Sequence, residues 1–144
     1  MAVNTTDIGI ARLHRHCAIV LDYVDKVKEL AGKAQQPGFT DEDWAPLRDY
    51  VAVEGFRRRG VFGETQTWPE YLAMLTEWAG KTQFGSTFHS ISEAPGVVYL
   101  EMEDRNTVAG ETSVAHSLTV YRFNESDQIR QLEIFLQGYG WRKN

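Results

Sequence analysis

The sequence predicts an α+β domain, a curved antiparallel sheet with helices packed on one face. Three observations carry this. Apolar residues recur at helical spacing near the start of the chain. After Lys81 the period changes to two and stays there. The resulting order, α-α-β-α-β-β-β-β, puts helices early and strands late, with short hairpin-like connections between the strands.

The first element rests on Ile10, Leu13, Cys17, Val20, Leu21, Val24 and Val27, whose spacing predicts one amphipathic helix from about Asp7 to about Ala34. Pro37 and Gly38 stop it. "TDEDWAPLRDYV" predicts a short second helix. Thr40 is its N-cap, acids fill the first turn, and Trp44, Leu47 and Val51 point one way. "AVEGFRRRGVFG" is the first strand region, punctuated by Gly55, Gly60 and Gly63. "TWPE" opens a third helix: Thr67 caps, Pro69 fits the first turn, and Glu70 completes a capping box. Gly80 is read as its end. "STFHSISEA", "GVVYLEMEDRNTV", "ETSVAHSLTVYRF" and "QIRQLEIFLQGYGW" are strands, joined by "APG", "AG" and "NESD".

At 144 residues the chain fits a single domain, 1–144, large enough for a real core. A net charge of -5 gives no electrostatic support for a nucleic-acid partner. Cys17 is the one cysteine, so no internal disulfide can form, and its apolar neighbours make it a small core hydrophobe. No apolar run approaches the roughly 20 residues of a membrane helix. The first residues lack the hydrophobic stretch of a signal peptide. A cytoplasmic protein free of membrane and nucleic acid is the expectation. His14 and His16 fall on different helix faces, and no His, Cys, Asp and Glu set has metal spacing. Neither metal nor cofactor is therefore expected. Trp44, Trp68, Trp78 and Trp141 read as core or interface rings.

The stretch Val120 to Gln137 alternates like two strands, yet almost every position is apolar or bulky, so both faces need cover. Side-chain size separates the faces. Along "SVAHSLTVY" one side carries Ser113, Ala115, Ser117, Thr119 and Tyr121; the other carries Val114, His116, Leu118 and Val120. Small residues under a helix layer leave space in an interior that otherwise packs near crystal density. The first set is the better cavity wall.

"YRFNE", Tyr121 to Glu125, followed by "IRQLEIF", resembles the last hairpin of ketosteroid isomerases. "DWAPLR", Asp43 to Arg48, is similar to a scytalone dehydratase segment, and "FHS", Phe88 to Ser90, falls where dehydratases carry a strand histidine. With the element order, these motifs resemble the nuclear transport factor 2-like superfamily, which also holds SnoaL-type cyclases and limonene epoxide hydrolases. The resemblance spans nearly the whole chain. It implies a cone-shaped sheet whose concave face and helices enclose an internal pocket. It also implies a homodimer through the outer sheet face.

The same register implies site residues. Thr119 takes the place of an oxyanion-hole aspartate of the isomerases. Leu132, Ile134 and Leu136 form the pocket side of the last strand, and Leu100, Met102 and Asp104 that of the "GVVYLEMEDRN" strand. Ile134 stands where the epoxide hydrolases need a carboxylate, and Glu133 faces away, against epoxide hydrolysis. The isomerase base falls on Gly55, with Glu54 the nearby carboxylate; the helix tyrosine falls on Val20, with Tyr23 one turn later. Arg57 and Arg59 alternate with Arg58, and one of the three could hold an anionic group, with Arg57 taken as the ligand contact. His89 is the implied general acid–base, since imidazole titrates near neutral pH, with Asp104 as its partner. Ser117, Thr119 and Tyr121 would hold a substrate oxygen. A one-residue bulge would reverse a strand's faces.

Two functions stay open. One is a cofactor-independent lyase, isomerase or cyclase acting on a small, largely apolar cyclic compound. The other is a non-catalytic ligand-binding or assembly module of the same fold. A His89–Asp104 pair in the cavity would favour the first, and a cavity filled by Tyr121, Met102 and Phe rings the second.

Overall fold

The computed structural model describes residues 2–138. Trp141 and the expected end of the last strand lie outside them. The element order is β1 (Val3–Thr5), α1 (Ile8–Ala11), α2 (Arg15–Ala31), a 3₁₀ helix (Asp41–Asp49), β2 (Arg57–Arg59), β3 (Thr65–Gln66), α3 (Trp68–Lys81), β4 (Gln83–Ala94), β5 (Val97–Val108), β6 (Glu111–Phe123) and β7 (Ile129–Gly138). The strands form one curled sheet in the order β1-β4-β5-β6-β7-β2-β3.

The long first helix is broken. α1 stops at Arg12, Leu13 is 81% exposed, and His14 is an extended N-cap for α2. Arg12 reaches across the break to Asp22 at 2.8 Å and Asp25 at 2.9 Å. The start of α2 is held from outside the helix: the Cys17 backbone N–H donates to Glu93 Oε1 of β4 at 2.8 Å, which sets a carboxylate at the positive helix end. The apolar periodicity does not carry through this break: Ile10 is 49% exposed, and Ala11 is the buried residue of α1. α2 ends at Ala31, short of Ala34.

The capping signals fold as written. Thr40 and Asp43 form a capping box on the 3₁₀ helix, and Thr67 and Glu70 another on α3. Trp44 is fully buried and donates from Nε1 to Thr76 Oγ1 at 2.9 Å, which ties the 3₁₀ helix to α3. α3 continues through Gly80 to Lys81, because a helical glycine costs only about 1 kcal/mol and burial of Ala79 holds the last turn.

The first strand region shrinks to β2, and its partner is unexpected. β2 runs parallel to β7, with Arg58 opposite Leu132. The sheet is thus mixed, not purely antiparallel. β1 and β3 have three and two residues, too few to show a period in the sequence. The four long strands pair consecutively and antiparallel. Ala109 (φ 52°) and Gly110 (φ 81°) make the tight β5–β6 turn, and two positive φ values there match the right-handed strand twist.

The core lies between the helices and the concave sheet face. Trp44, Leu47, Val51, Phe56, Ile91, Val98, Leu100, Ile129 and Leu132 are its fully buried large side chains, with Val20 and Cys17 from α2. Burial pushes the Cys17 thiol up to about 12, so it is inert as a nucleophile. Among the described residues no helix is long and apolar enough to cross a membrane.

Candidate functional site

A cavity of about 240 Å³ opens between α2, α3 and the concave side of β5, β6 and β7. Its sheet wall follows from register. Met102 lies opposite Ser117, Ser117 opposite Leu136, and Thr119 opposite Ile134, so these residues share one face. Asp104 and Tyr121 have the same parity, and all seven line the cavity. Leu100 and Leu132 face the same way but are buried in the core. From the helices come Tyr23, Val24, Val27 and Lys28 of α2, and Tyr71, Met74, Leu75 and Trp78 of α3.

Asp104 is the carboxylate of this wall. Its Oδ1 is buried with no hydrogen-bond partner. Burial pushes its pKa above the ordinary carboxylate range, against the opposing pull of the Ser117 hydroxyl and of the Lys28, Arg105 and His116 charges. A carboxyl whose proton affinity is raised in this way is suited to general acid–base work.

Three tyrosines supply neutral donors. The Tyr23 and Tyr71 hydroxyls are 2.8 Å apart, and Tyr23 meets Tyr121 edge-on at 6.1 Å. Burial raises the pKa of all three. Arg58 adds a cation, its guanidinium 5.4 Å over the Tyr71 ring, with Nη1 donating to Gln66 Oε1 at 2.9 Å. Asn106 accepts from Trp78 Nε1 at 3.0 Å and closes another part of the wall. No described group of His, Cys, Asp and Glu could hold a metal ion.

His89 is not in this cavity, which corrects the expected His89–Asp104 pair. Phe88 pairs with Met102 and Ser90 with Glu101, which leaves His89 as the extra residue of a β-bulge. The bulge turns His89 outward, exposed, with its ring 5.4 Å from His116 in an edge-on contact. His116 Nε2 is 2.7 Å from Glu101 Oε2, and Ser90 Oγ donates to Glu101 Oε1 at 2.8 Å. Those bonds hold the Glu101 carboxyl below its ordinary range, Ser90 contributing most.

Two further expectations are corrected. Glu54 is exposed beside Gly55 (φ 76°) in a turn, outside the cavity wall. Arg57 is exposed and donates to the Phe56 carbonyl at 2.7 Å. Arg58 enters the cavity instead, because it pairs with Leu132, whose side chain faces inward. Alternation separated Arg58 from its neighbours, but only the partner strand fixes which set faces in. Lys28, one helical turn after Val24, also lines the cavity, although its charge sets it apart from the apolar stripe of that helix.

No family model matches the chain, and no curated protein matches it at a significant level. Solved structures do match. An LEH-like epoxide hydrolase of M. tuberculosis superposes with a TM-score of 0.59 at 13% identity over 81% of this chain and 84% of that one. A protein from Catenulispora acidiphila with a ketosteroid isomerase-like fold, in complex with trimethylamine, gives 0.56 at 13% over 81% and 90%. A nuclear transport factor 2-like protein from Anabaena variabilis gives 0.58 at 13% over 85% and 92%. With the curled sheet, the helix layer and the terminal hairpin, these superpositions show that the chain has the nuclear transport factor 2-like fold.

Proposed function

We propose that the chain is an enzyme that moves a proton on a small, ring-bearing, largely apolar compound, with Asp104 as general acid–base. The observation behind this is the Asp104 carboxyl itself: inside an apolar cavity, one oxygen buried without a partner, its proton affinity raised by burial. In this mechanism Asp104 takes a proton from one atom of the bound compound and returns it to another, or gives it to a leaving oxygen. Hydroxyls of the Tyr23–Tyr71 pair, Tyr121, Ser117 and Thr119 donate to the oxygen on which negative charge develops. The reaction class is isomerase, lyase or cyclase. Ile134 and Leu136 make the β7 wall apolar, which offers no second carboxylate to activate water.

The test is turnover of cyclic ketones and hydroxylated ring compounds by wild type and Asp104→Asn. A loss of about 10²–10⁴ is expected for removal of a general acid–base. Equal turnover by the two proteins would sink the reading.

One observation favours a second reading. With His89 outside, the cavity lining holds a single carboxyl and no imidazole, and a ligand-binding module needs neither. Saturable binding of a compound that wild type never converts selects this alternative.

A homodimer through the outer sheet face belongs to the same proposal. Tyr99, Leu118 and Phe135 are 38%, 37% and 54% exposed on that face, and Leu118 lies opposite Phe135. A second copy would cover them. Sedimentation that shows monomer at all concentrations removes it.

A further inference from the structure

Arg58 is the charged group of the cavity that proton transfer by Asp104 does not use. Its surroundings differ from those of every other arginine among the described residues. Arg12, Arg15, Arg59, Arg105 and Arg122 each pair with a carboxylate. Arg48, Arg57 and Arg130 are exposed to water. Arg58 has neither resource. It is partly buried, lines the cavity, and forms no ion pair with a described acid.

The orientation of its guanidinium is informative. Nη1 is used, donating to Gln66 Oε1 at 2.9 Å. Nε is buried and meets no acceptor. Nη2 makes no hydrogen bond to a described residue. The nitrogens left over, Nε and Nη2, are the two that share the side-on edge of a guanidinium. That edge is the fork which matches the two oxygens of a carboxylate. The Tyr71 ring, 5.4 Å from the guanidinium carbon, holds the group by a cation–π contact that satisfies neither Nε nor Nη2. A buried donor of a charged group left without an acceptor is costly, so an acceptor supplied by a ligand would be strongly bound.

The rest of the wall agrees. Lys28 is a second cation there, and it too forms no ion pair with a described acid. This positive lining sits in a chain of net charge -5, so it does not follow from overall composition. Arg58 lies in the row Leu132, Tyr121 and Val98, whereas Asp104 stands further along β5 in the row of Ser86 and Ala115. Met74, Leu75 and Ile134 contribute apolar wall.

We propose that the cavity takes an organic acid: an apolar, ring-bearing molecule whose carboxylate docks side-on against Nε and Nη2 of Arg58. The body lies on the apolar wall, and a second oxygen function reaches toward Asp104. This rests on reading the cavity as a substrate site, and it narrows the substrate class to carboxylates.

The experiment is calorimetric titration of wild type, Arg58→Met and Arg58→Lys with naphthoate and with its neutral isostere naphthamide, with circular dichroism to check folding. Wild type is expected to bind naphthoate about tenfold or more tighter than naphthamide, from one charge-assisted fork. Arg58→Met should abolish that preference, and Arg58→Lys should keep only part of it, since an ammonium lacks the fork. Equal affinity of both probes for wild type overturns the carboxylate proposal while leaving the cavity reading intact. Binding of neither probe overturns both. A preference that survives unchanged in folded Arg58→Met also overturns it. Should Arg58→Met not fold, the wild-type ratio decides: near one, the proposal fails.

Discussion

Asp104 and Glu101 are carboxylates of the same strand, on opposite faces of the sheet, and their environments push them in opposite directions. Glu101 looks outward, where the Ser90 hydroxyl and His116 hold its carboxylate form. Asp104 looks inward, where burial favours its protonated form and Oδ1 finds no donor. The outer face holds more groups of a kind used in acid–base catalysis, including both His89 and His116. The inner face holds one such carboxyl, shielded from water. Chemical identity therefore says less about the proton affinity of a carboxyl than its surroundings do.

The largest effect that sharpens this contrast is at Asp104. Asp104→Asn should lose about 10²–10⁴ in turnover and yet melt higher than wild type at pH 7. The sign follows from linkage. Burial raises the folded pKa above that of the unfolded chain, so the aspartate penalises the native state at high pH. The penalty fades as pH falls through the folded value towards the unfolded one. Melting curves from pH 7 to about pH 4 should show the gain of the asparagine variant shrinking. A constant gain, or none, breaks the contrast.

Packing comes next. Ile91→Ala, fully buried just after the bulge, should cost about 2–5 kcal/mol in urea unfolding, as large core truncations do. Leu118→Ala on the outer face should cost less than about 1 kcal/mol when measured on dilute protein. Comparable losses would mean that the outer face is as closed as the inner one.

Glu101→Gln should cost no more than about 1 kcal/mol at neutral pH, since its carboxylate is partly solvated. Here the sign is reversed relative to Asp104. The folded pKa is depressed, so the stabilisation is present above the unfolded value and is lost as pH falls through the folded one. The smallest effect is at His89. Its alanine variant should keep turnover within about twofold, because the bulge holds its side chain outside the cavity. A loss as large as that of Asp104→Asn would return catalysis to the histidine.

Much of the architecture was legible because it is periodic. Four long strands show a period of two, and the boxes at Thr40 and Thr67 are local four-residue codes. The wall of Ser117, Thr119 and Tyr121 was legible too, because small residues alternate with large ones on β6. Other features lack a local signal. His14 starts α2 with no side-chain cap bond of its own, and the cap comes instead from Glu93. The pairing of β2 with β7 joins residues far apart in sequence, so the inward turn of Arg58 depends on a register that three arginines in a row cannot encode. The bulge at His89 is one unpaired residue inside a perfectly strand-like string.

That bulge also works as a phase shift within β4. Upstream of it the even-numbered residues Ser86 and Phe88 share the faces of Asp104 and Met102; downstream the odd-numbered Ile91 and Glu93 share those of Leu100 and Val98. Glu93 then meets the first turn of α2, the helix that carries Tyr23 and Lys28 into the cavity. Deleting His89 would leave a regular strand with Ile91 and Glu93 on their present face; pairing His89 regularly instead would slip the downstream half by one, swing Ile91 toward water and withdraw Glu93 from the helix. Glu93, which is no part of the cavity lining, thus anchors the helix that brings two residues to it.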